Sequence, residues 1–232
     1  MSELAVKALE LVGFKREHWH REYPKVYENL NKRIEEVARA RYPTIPNSIL
    51  MAGFVDSGKT SLMACICKSI FEEWASSQKM PGYMKPDVFA GFVGYCNHED
   101  LVNSWENEFN PDSLYRDANL YRDCQVLFLD DLGAAPDNVS GRNISKLEEF
   151  IDWRWSNRKK TIVSTNLSPD EYYIKDFARM KAGKRPLYPQ WHRIFRRLLS
   201  DRWMLTVILT HNFSLDKILK DKKQASKKEK AK

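Results

Sequence analysis

Short apolar runs alternate with longer helical patterns along the middle of the chain. The apolar runs are nearly continuous, which is typical of strands covered on both faces, and they predict strands at ILMAGF (49–54), VFAGFVGY (88–95), CQVLFLD (124–130), KTIVSTN (160–166) and WMLTVIL (203–209). Apolar residues recur at helical spacing in KTSLMACICKSIFEEW (59–74), NHEDLVNSWENEF (97–109), SKLEEFIDWRWSNR (145–158) and WHRIFRRLLS (191–200). This alternation predicts βαβ units. We therefore expect a three-layer α/β domain with a parallel central sheet over about residues 43–215.

The two ends of the chain differ from this centre. Residues 1–42 are expected to form a short helical N-terminal extension, broken at Pro24, whose apolar positions at helical spacing are Leu4, Leu9, Leu11, Val26, Leu30, Ile34 and Val37. The prolines of YPTIPNS (42–48) indicate a linker. Residues 216–232 are rich in lysine and predict a basic tail, either disordered and solvated or acting as an electrostatic tether to nucleic acid.

Composition and charge exclude several classes of protein. The chain is 43% hydrophobic and 30% charged, with a formal net charge of +7 that favours polyanionic partners. No stretch approaches the roughly 18 uncharged apolar residues of a membrane helix, and the charged N-terminus is unlike a secretory signal. We therefore expect a cytoplasmic protein with no membrane partner. The four cysteines show neither metal-binding nor disulfide-framework spacing.

A phosphate-binding motif follows the first predicted strand of the sheet. Residues 53–60 read G-x-x-x-x-G-K-T, and they lie between a strand and a helix, which is the context that supports a phosphate loop. Lys59 is expected to reach the β- and γ-phosphates, and the Thr60 hydroxyl to bind Mg²⁺. Asp56 places a carboxylate in the loop, although its backbone N–H can still serve a phosphate. The predicted nucleotide-binding residues are Gly53, Asp56, Ser57, Gly58, Lys59, Thr60 and Ser61.

Polar residues end two other predicted strands. In VLFLDDLG (126–133), Asp130 is expected to hold Mg²⁺ directly or through water, and Asp131 to polarise the attacking water. The alternative is that one of the two aspartates only caps the next turn. Asn166, which ends TIVSTN, is a candidate for orienting that water or sensing the γ-phosphate, or else it is part of a turn.

A basic helix near the C-terminal end offers two further candidates. In HRIFRRL (192–198), Arg193 and Arg197 share one helix face, from which a guanidinium can reach the site of a neighbouring subunit. The alternative is a basic surface helix.

Together, these four elements resemble the DnaC/DnaI-type helicase loaders of the AAA+ ATPase class, with the IstB-type transposition ATPases as near relatives. The resemblance covers about residues 45–212 and includes FVGYCNHEDLVNSWENEF (92–109). It implies a RecA-like P-loop fold that binds ATP and Mg²⁺. It also implies that Gly53, Gly58, Lys59 and Thr60 are Walker A residues and that Asp130 and Asp131 are Walker B residues. Asn166 would then be sensor 1, and Arg193 and Arg197 would belong to the arginine box. Arg154 matches a basic position on the helix before the sensor strand.

Three departures from the family pattern limit what the resemblance implies. Asp56 and Ser57 stand where the family usually has Gly-Thr. The N-terminal segment lacks the zinc-binding cysteines of some loaders, and no separate helical lid is evident after residue 212.

Three functions remain open from the sequence. The first is an ATP-dependent loader that self-associates into a ring or spiral, binds single-stranded DNA and a hexameric replicative helicase, and releases them on hydrolysis. The others are an IstB-like transposition helper acting on duplex DNA, and a nucleotide-gated scaffold with little turnover.

WRWSNRKK (153–160) is either an aromatic and basic stretch that stacks on a DNA strand or a helix with Trp153 or Trp155 in the core.

Overall fold

Five parallel strands form one sheet in the computed structural model, which describes residues 3–19, 48–107, 118–134, 141–199 and 204–209. The order across the sheet is β2-β3-β4-β1-β5, and every neighbouring pair is parallel. The strands are β1 (Ser48–Gly53), β2 (Val93–Asn97), β3 (Val126–Leu132), β4 (Lys160–Thr165) and β5 (Met204–Leu209). This topology confirms the predicted α/β class with a parallel sheet.

Helices cover both faces of the sheet. They are α1 (Glu3–Val12), α2 (Lys59–Ser77), α3 (Lys85–Ala90), α4 (His98–Glu106), α5 (Ala118–Asp123), α6 (Gly141–Ser156), α7 (Lys175–Lys181) and α8 (Pro189–Leu198). Short 3₁₀ turns lie at Arg16–His18 and Gly82–Met84, and a π-helical turn at Asp170–Ile174 precedes α7. No helix among the described residues is both long and apolar enough to cross a membrane.

Two cores separate the three layers, because successive residues of a strand point to opposite faces. One core packs against α1, α2 and α3 and takes Ile49, Met51, Phe128, Ile162 and Val207 from the sheet. The other packs against α4, α6 and α8 and takes Leu50, Leu127, Leu129 and Val163. β1, β3 and β4 are therefore buried on both faces, which explains their largely apolar sequences, whereas Thr206 and Ile208 on one face of β5 are exposed.

The strand predicted over residues 88–95 is wrong in its first half. Residues 88–90 belong to α3, and β2 begins only at Val93. Pro86 lies in the first turn of α3, where its fixed φ suits a helix. Phe89 packs edge-on against Phe71, with ring centroids 5.2 Å apart, and its ring lies 5.5 Å from that of Trp74. Tertiary packing thus makes a helix of an apolar stretch that also suits a strand.

The predicted helix at the N-terminus exists, but its buried face differs from the expected one. Its buried residues are Ala5, Ala8, Leu9 and Val12, whereas Leu4 is exposed. α1 belongs to the same core as α2 and α3. The second predicted helix, with Val26, Leu30, Ile34 and Val37, and the lysine-rich tail lie outside the described residues. The sequence did not predict α5 or α7.

Arg154, rather than Trp153 or Trp155, is the side chain of WRWSNRKK that enters the core. Its side chain is 1% exposed, and both tryptophans are only partly buried. The guanidinium donates to the Thr161 hydroxyl and to the backbone carbonyls of Tyr121, Arg122, Cys124 and Lys160, at 2.6–3.1 Å. Arg154 therefore joins the end of α5 to the start of β4, and the side chains of Arg154 and Lys160 in WRWSNRKK are buried.

Candidate nucleotide-binding site

The sheet order brings the three sequence motifs to one edge. β4 lies between β1 and β3, so the carboxyl ends of these parallel strands are adjacent. The phosphate loop follows β1, Asp130 and Asp131 lie near the end of β3, and Asn166 follows β4. Ligands of open α/β sheets bind at this end of the strands.

The backbone of the loop has the shape that a phosphate site needs. A Cβ atom at Gly53 would lie 2.2 Å from the carbonyl oxygen of Leu209 in β5, so the close approach of β5 requires a glycine here. Gly58 precedes α2 with φ of 85°, and Asp56 has φ of 60° with an exposed side chain. Ser57 is buried, and Thr60 and Ser61 are half-buried in the first turn of α2. The helix N-terminus adds its partial positive charge to the loop.

Lys59 lies at the centre of the site and is 5% exposed. Its Nζ donates to the carbonyl oxygens of Gly53 (3.1 Å) and Phe54 (2.6 Å) and to Oδ1 of Asn166 (2.7 Å). Burial lowers the pKa of Lys59, and the nearby carboxylates, Asp131 first, oppose this shift. The predicted phosphate-binding lysine and the predicted sensor residue are therefore in direct contact.

Asp130 is 2% exposed and is held by neighbours on three strands. Its Oδ1 accepts from the Ser164 hydroxyl and from the backbone N–H of Asp131 (3.1 Å), and its Oδ2 accepts from the Tyr95 hydroxyl (3.0 Å). A carboxylate oxygen can accept two hydrogen bonds, so among the described residues Oδ2 keeps one position for a ligand. A carboxylate with one open position and the Thr60 hydroxyl fit a hydrated Mg²⁺, which prefers oxygen donors and retains several waters.

Asp131 adopts a left-handed backbone, with φ of 50°. Its N–H is also 2.9 Å from the Ser164 hydroxyl, so the residue is anchored to β4. Burial raises the pKa of its carboxyl, with a further contribution from Asp130, while Lys59 and Lys15 act in the opposite direction. A raised pKa suits a carboxylate that accepts a proton from water.

Residues 14–19 contact the site, and no sequence pattern marked them. The ring of Phe14 lies against Tyr95, with centroids 4.3 Å apart, and Tyr95 binds Asp130. Nδ1 of His18 lies 3.3 Å from the Ser61 hydroxyl in the first turn of α2. Together with Lys15, which interacts electrostatically with Asp131, these contacts place the N-terminal segment beside both the loop and the acids.

Arg193 and Arg197 occupy α8 and pair with acids of α6. Arg193 makes a two-pronged contact with Glu148, at 2.5 and 2.8 Å, and Arg197 binds Asp152. The Arg197 guanidinium also lies over the Trp155 ring, 4.4 Å from its centroid. Within the described residues their contacts are thus with α6 rather than with Lys59, and they lie apart from the cluster formed by the other predicted site residues.

The parallel sheet, with a glycine loop, paired acids and an amide at one edge, has the arrangement of a P-loop nucleotide-binding fold. No protein-family model matches the chain, and no curated protein matches it. Among solved structures, the DnaC helicase loader has a TM-score of 0.55 and 17% identity, covering 83% of this chain and 99% of that chain. A candidate primosome component from Streptococcus pyogenes serotype M3 has a TM-score of 0.53 and 15% identity, covering 91% and 100%.

AMPPCP-bound DnaA from Aquifex aeolicus is a third structure with this fold. Its TM-score is 0.51 and its identity 16%, and the match covers 92% of this chain and 56% of that chain. The chain therefore has the fold of the DnaC helicase loader and of about half of the DnaA chain. This confirms the resemblance expected from the sequence at the level of the fold.

Proposed function

We propose that the chain binds ATP with Mg²⁺ at the edge formed by β1, β3 and β4, and that it hydrolyses the γ-phosphate. The observation that carries this proposal is the cluster of Lys59, Asp130, Asp131 and Asn166, drawn from three separate stretches of sequence. The similarity in fold between this chain and AMPPCP-bound DnaA supports a nucleotide as the ligand.

Each residue has a role that its contacts support. The loop N–H groups and Lys59 bind phosphate oxygens. Thr60 and Asp130 would hold Mg²⁺, which would supply positive charge to neutralise the phosphates. Tyr95 and Ser164 orient the Asp130 carboxylate. Asp131 accepts a proton from the attacking water, and Asn166 orients that water or the γ-phosphate.

We further propose that this ATPase acts as a replicative helicase loader. The similarity to the DnaC helicase loader supports this role, and the net charge of +7 supports single-stranded DNA as a second partner. Arg193 and Arg197 would then complete the site of a neighbouring copy in a ring or spiral.

ATP binding and turnover test the enzymatic proposal directly. Lys59→Ala should abolish ATP binding, and Asp131→Asn should bind ATP yet lose turnover, because it keeps the side-chain shape but not the base. Lys79→Ala, at an exposed position, is the matched control and should behave as wild type. Micromolar binding with background turnover in the presence of DNA and every partner would instead support a nucleotide-gated scaffold.

Capture of a partner tests the loader role. The chain loaded with ATP analogue should retain a hexameric replicative helicase together with single-stranded DNA, and ATP hydrolysis should release them. Capture of a transposase on duplex DNA instead would contradict the loader role and favour the transposition helper.

A further inference from the structure

His98 lies directly behind the acidic end of β3. It is the first residue of α4, immediately after β2, and its side chain is 2% exposed. Its ring nitrogen Nδ1 accepts a hydrogen bond from the backbone N–H of Gly133 at 3.2 Å. Gly133 is two residues beyond Asp131, so His98 holds the turn through which the chain leaves the site.

The contacts of the ring define its protonation. Because Nδ1 accepts a bond, the ring proton of neutral His98 lies on Nε2. Burial lowers the pKa of His98 to about 4, which keeps the ring neutral near pH 7. The ring packs edge-on against the Trp191 indole of α8, with centroids 6.4 Å apart and planes at 75°. Trp191 thereby restrains the ring plane that directs Nδ1 toward Gly133.

The turn held by His98 is tightly constrained. Within this turn, the backbone N–H of Ala134 donates to the carbonyl oxygen of Asp131 at 2.9 Å. Gly133 has φ of 92°, and a Cβ atom there would lie 2.5 Å from the side chain of Leu167, the residue after Asn166. Asp131 itself has the left-handed φ of 50°. His98 supplies the contact with this turn from the β2 side, opposite Leu167.

We propose that His98 is a positioning residue for ATP hydrolysis: by holding the N–H of Gly133 it fixes the turn after Asp131 and hence the direction of the Asp131 carboxylate. This inference rests on the proposed ATPase function. Its distinguishing feature is that it depends on an acceptor at the position of Nδ1 and not on the volume or charge of the imidazole.

Two amide substitutions of His98 test whether the role depends on an acceptor at the position of Nδ1 or on the volume of the side chain. The Oδ1 atom of asparagine can take the place of Nδ1, whereas the longer glutamine places its amide near the position of Nε2. Steady-state hydrolysis of ATP by His98→Asn and His98→Gln should therefore differ. We expect His98→Gln to lower kcat at least about tenfold with KM within about twofold, and His98→Asn to stay within about threefold of wild type.

The controls distinguish failure of this inference from failure of the proposed function. A wild-type chain without turnover under any condition contradicts the ATPase itself. An active wild type with equal kcat for the two variants, or with a change confined to KM, overturns the positioning role. A measurement on the wild type covers the case in which His98→Gln does not fold: nitrogen NMR should show the Nε2–H tautomer of His98 near pH 7, and an Nδ1–H tautomer overturns the proposal.

Discussion

The Nζ atom of Lys59 donates a 2.7 Å hydrogen bond to Oδ1 of Asn166, so the phosphate loop and the end of β4 are joined directly. The two residues are 107 positions apart in sequence. A phosphate oxygen that engages Lys59 has to share or displace this bond. In the proposed nucleotide complex, the amide of Asn166 can therefore respond to a phosphate bound at Lys59.

Substitution of Asn166 should impair turnover more than binding. In Asn166→Ala, Lys59 keeps its carbonyl acceptors in the loop but loses the amide that links it to β4. We expect kcat to fall by about tenfold or more, with the Kd for ATP within about threefold. Asn157→Ala, at an exposed position in the turn just after α6, is the matched control. Parallel losses in Kd and kcat would assign Asn166 to binding.

Removal of Lys15 should shift the acid limb of the activity profile. Asp131 must be ionised to accept a proton, and the positive charge of Lys15 lowers its pKa. Lys15→Ala therefore raises the pKa of Asp131 further, and activity is lost at a higher pH than in the wild type. The measurement is kcat from about pH 5 to 8. Arg16→Ala should leave the limb in place, and a shift of the Lys15→Ala limb to lower pH would contradict the electrostatic contact.

His98 should make the stability of the protein depend on pH. Its folded pKa of about 4 lies below the ordinary value of 6.5, so the unfolded chain binds more protons between these values. Stability is therefore complete above about pH 6.5 and falls as the pH drops toward 4. Between pH 7 and 5 the wild type should lose about 2 kcal/mol more than His98→Asn, measured by urea unfolding. Equal slopes for the two proteins would show that His98 titrates normally.

Arg154 should be essential for stability although it lies outside the candidate nucleotide-binding site. Arg154→Met removes the donors from several buried carbonyl groups, and we expect the free energy of unfolding to fall by about 3–5 kcal/mol. Arg154→Lys should recover only part of this loss, because an ammonium cannot span the same acceptors. Arg196→Met, on the exposed face of α8, should change stability by less than about 0.5 kcal/mol. A similar effect of both methionine variants would contradict the buried role of Arg154.

Arg197 should act on the site of a neighbouring copy. Arg197→Ala is expected to bind ATP normally as an isolated chain and to lose on the order of 10³-fold in turnover within the assembly. Mixing it with Lys59→Ala should restore turnover, since one variant supplies an intact nucleotide site and the other supplies Arg197. Arg196→Ala is the control. Weaker ATP binding by isolated Arg197→Ala chains, or no recovery on mixing, would contradict action between subunits.

The sheet and the candidate site were predictable from the sequence for one physical reason. β1, β3 and β4 are buried on both faces, so each is a nearly continuous apolar run, and a polar residue at its end stands out. Since parallel strands end at the same edge, Lys59, Asp131 and Asn166 had to lie close together once the strands were correctly assigned.

The remaining features depend on contacts that leave no local pattern. Phe89 reads equally well in a strand or a helix, and only its packing against Phe71 and Trp74 decides for the helix. Arg154 looks like a surface residue in DWRW, yet its acceptors lie on segments as far as 33 positions away. His98 contacts the turn after Asp131 and Lys15 interacts with Asp131 itself, although neither residue belongs to a motif that the sequence marked.

The contact between Gly53 and Leu209 has a consequence for synthesis of the protein on the ribosome. β5 is the final strand of the described sheet, and its backbone lies against the first residue of the phosphate loop. While residues 204–209 are still inside the ribosome, the nascent chain lacks the strand against which the phosphate loop packs. Competence to bind nucleotide should therefore be acquired only after residues 204–209 have left the ribosome, well after the loop itself has emerged.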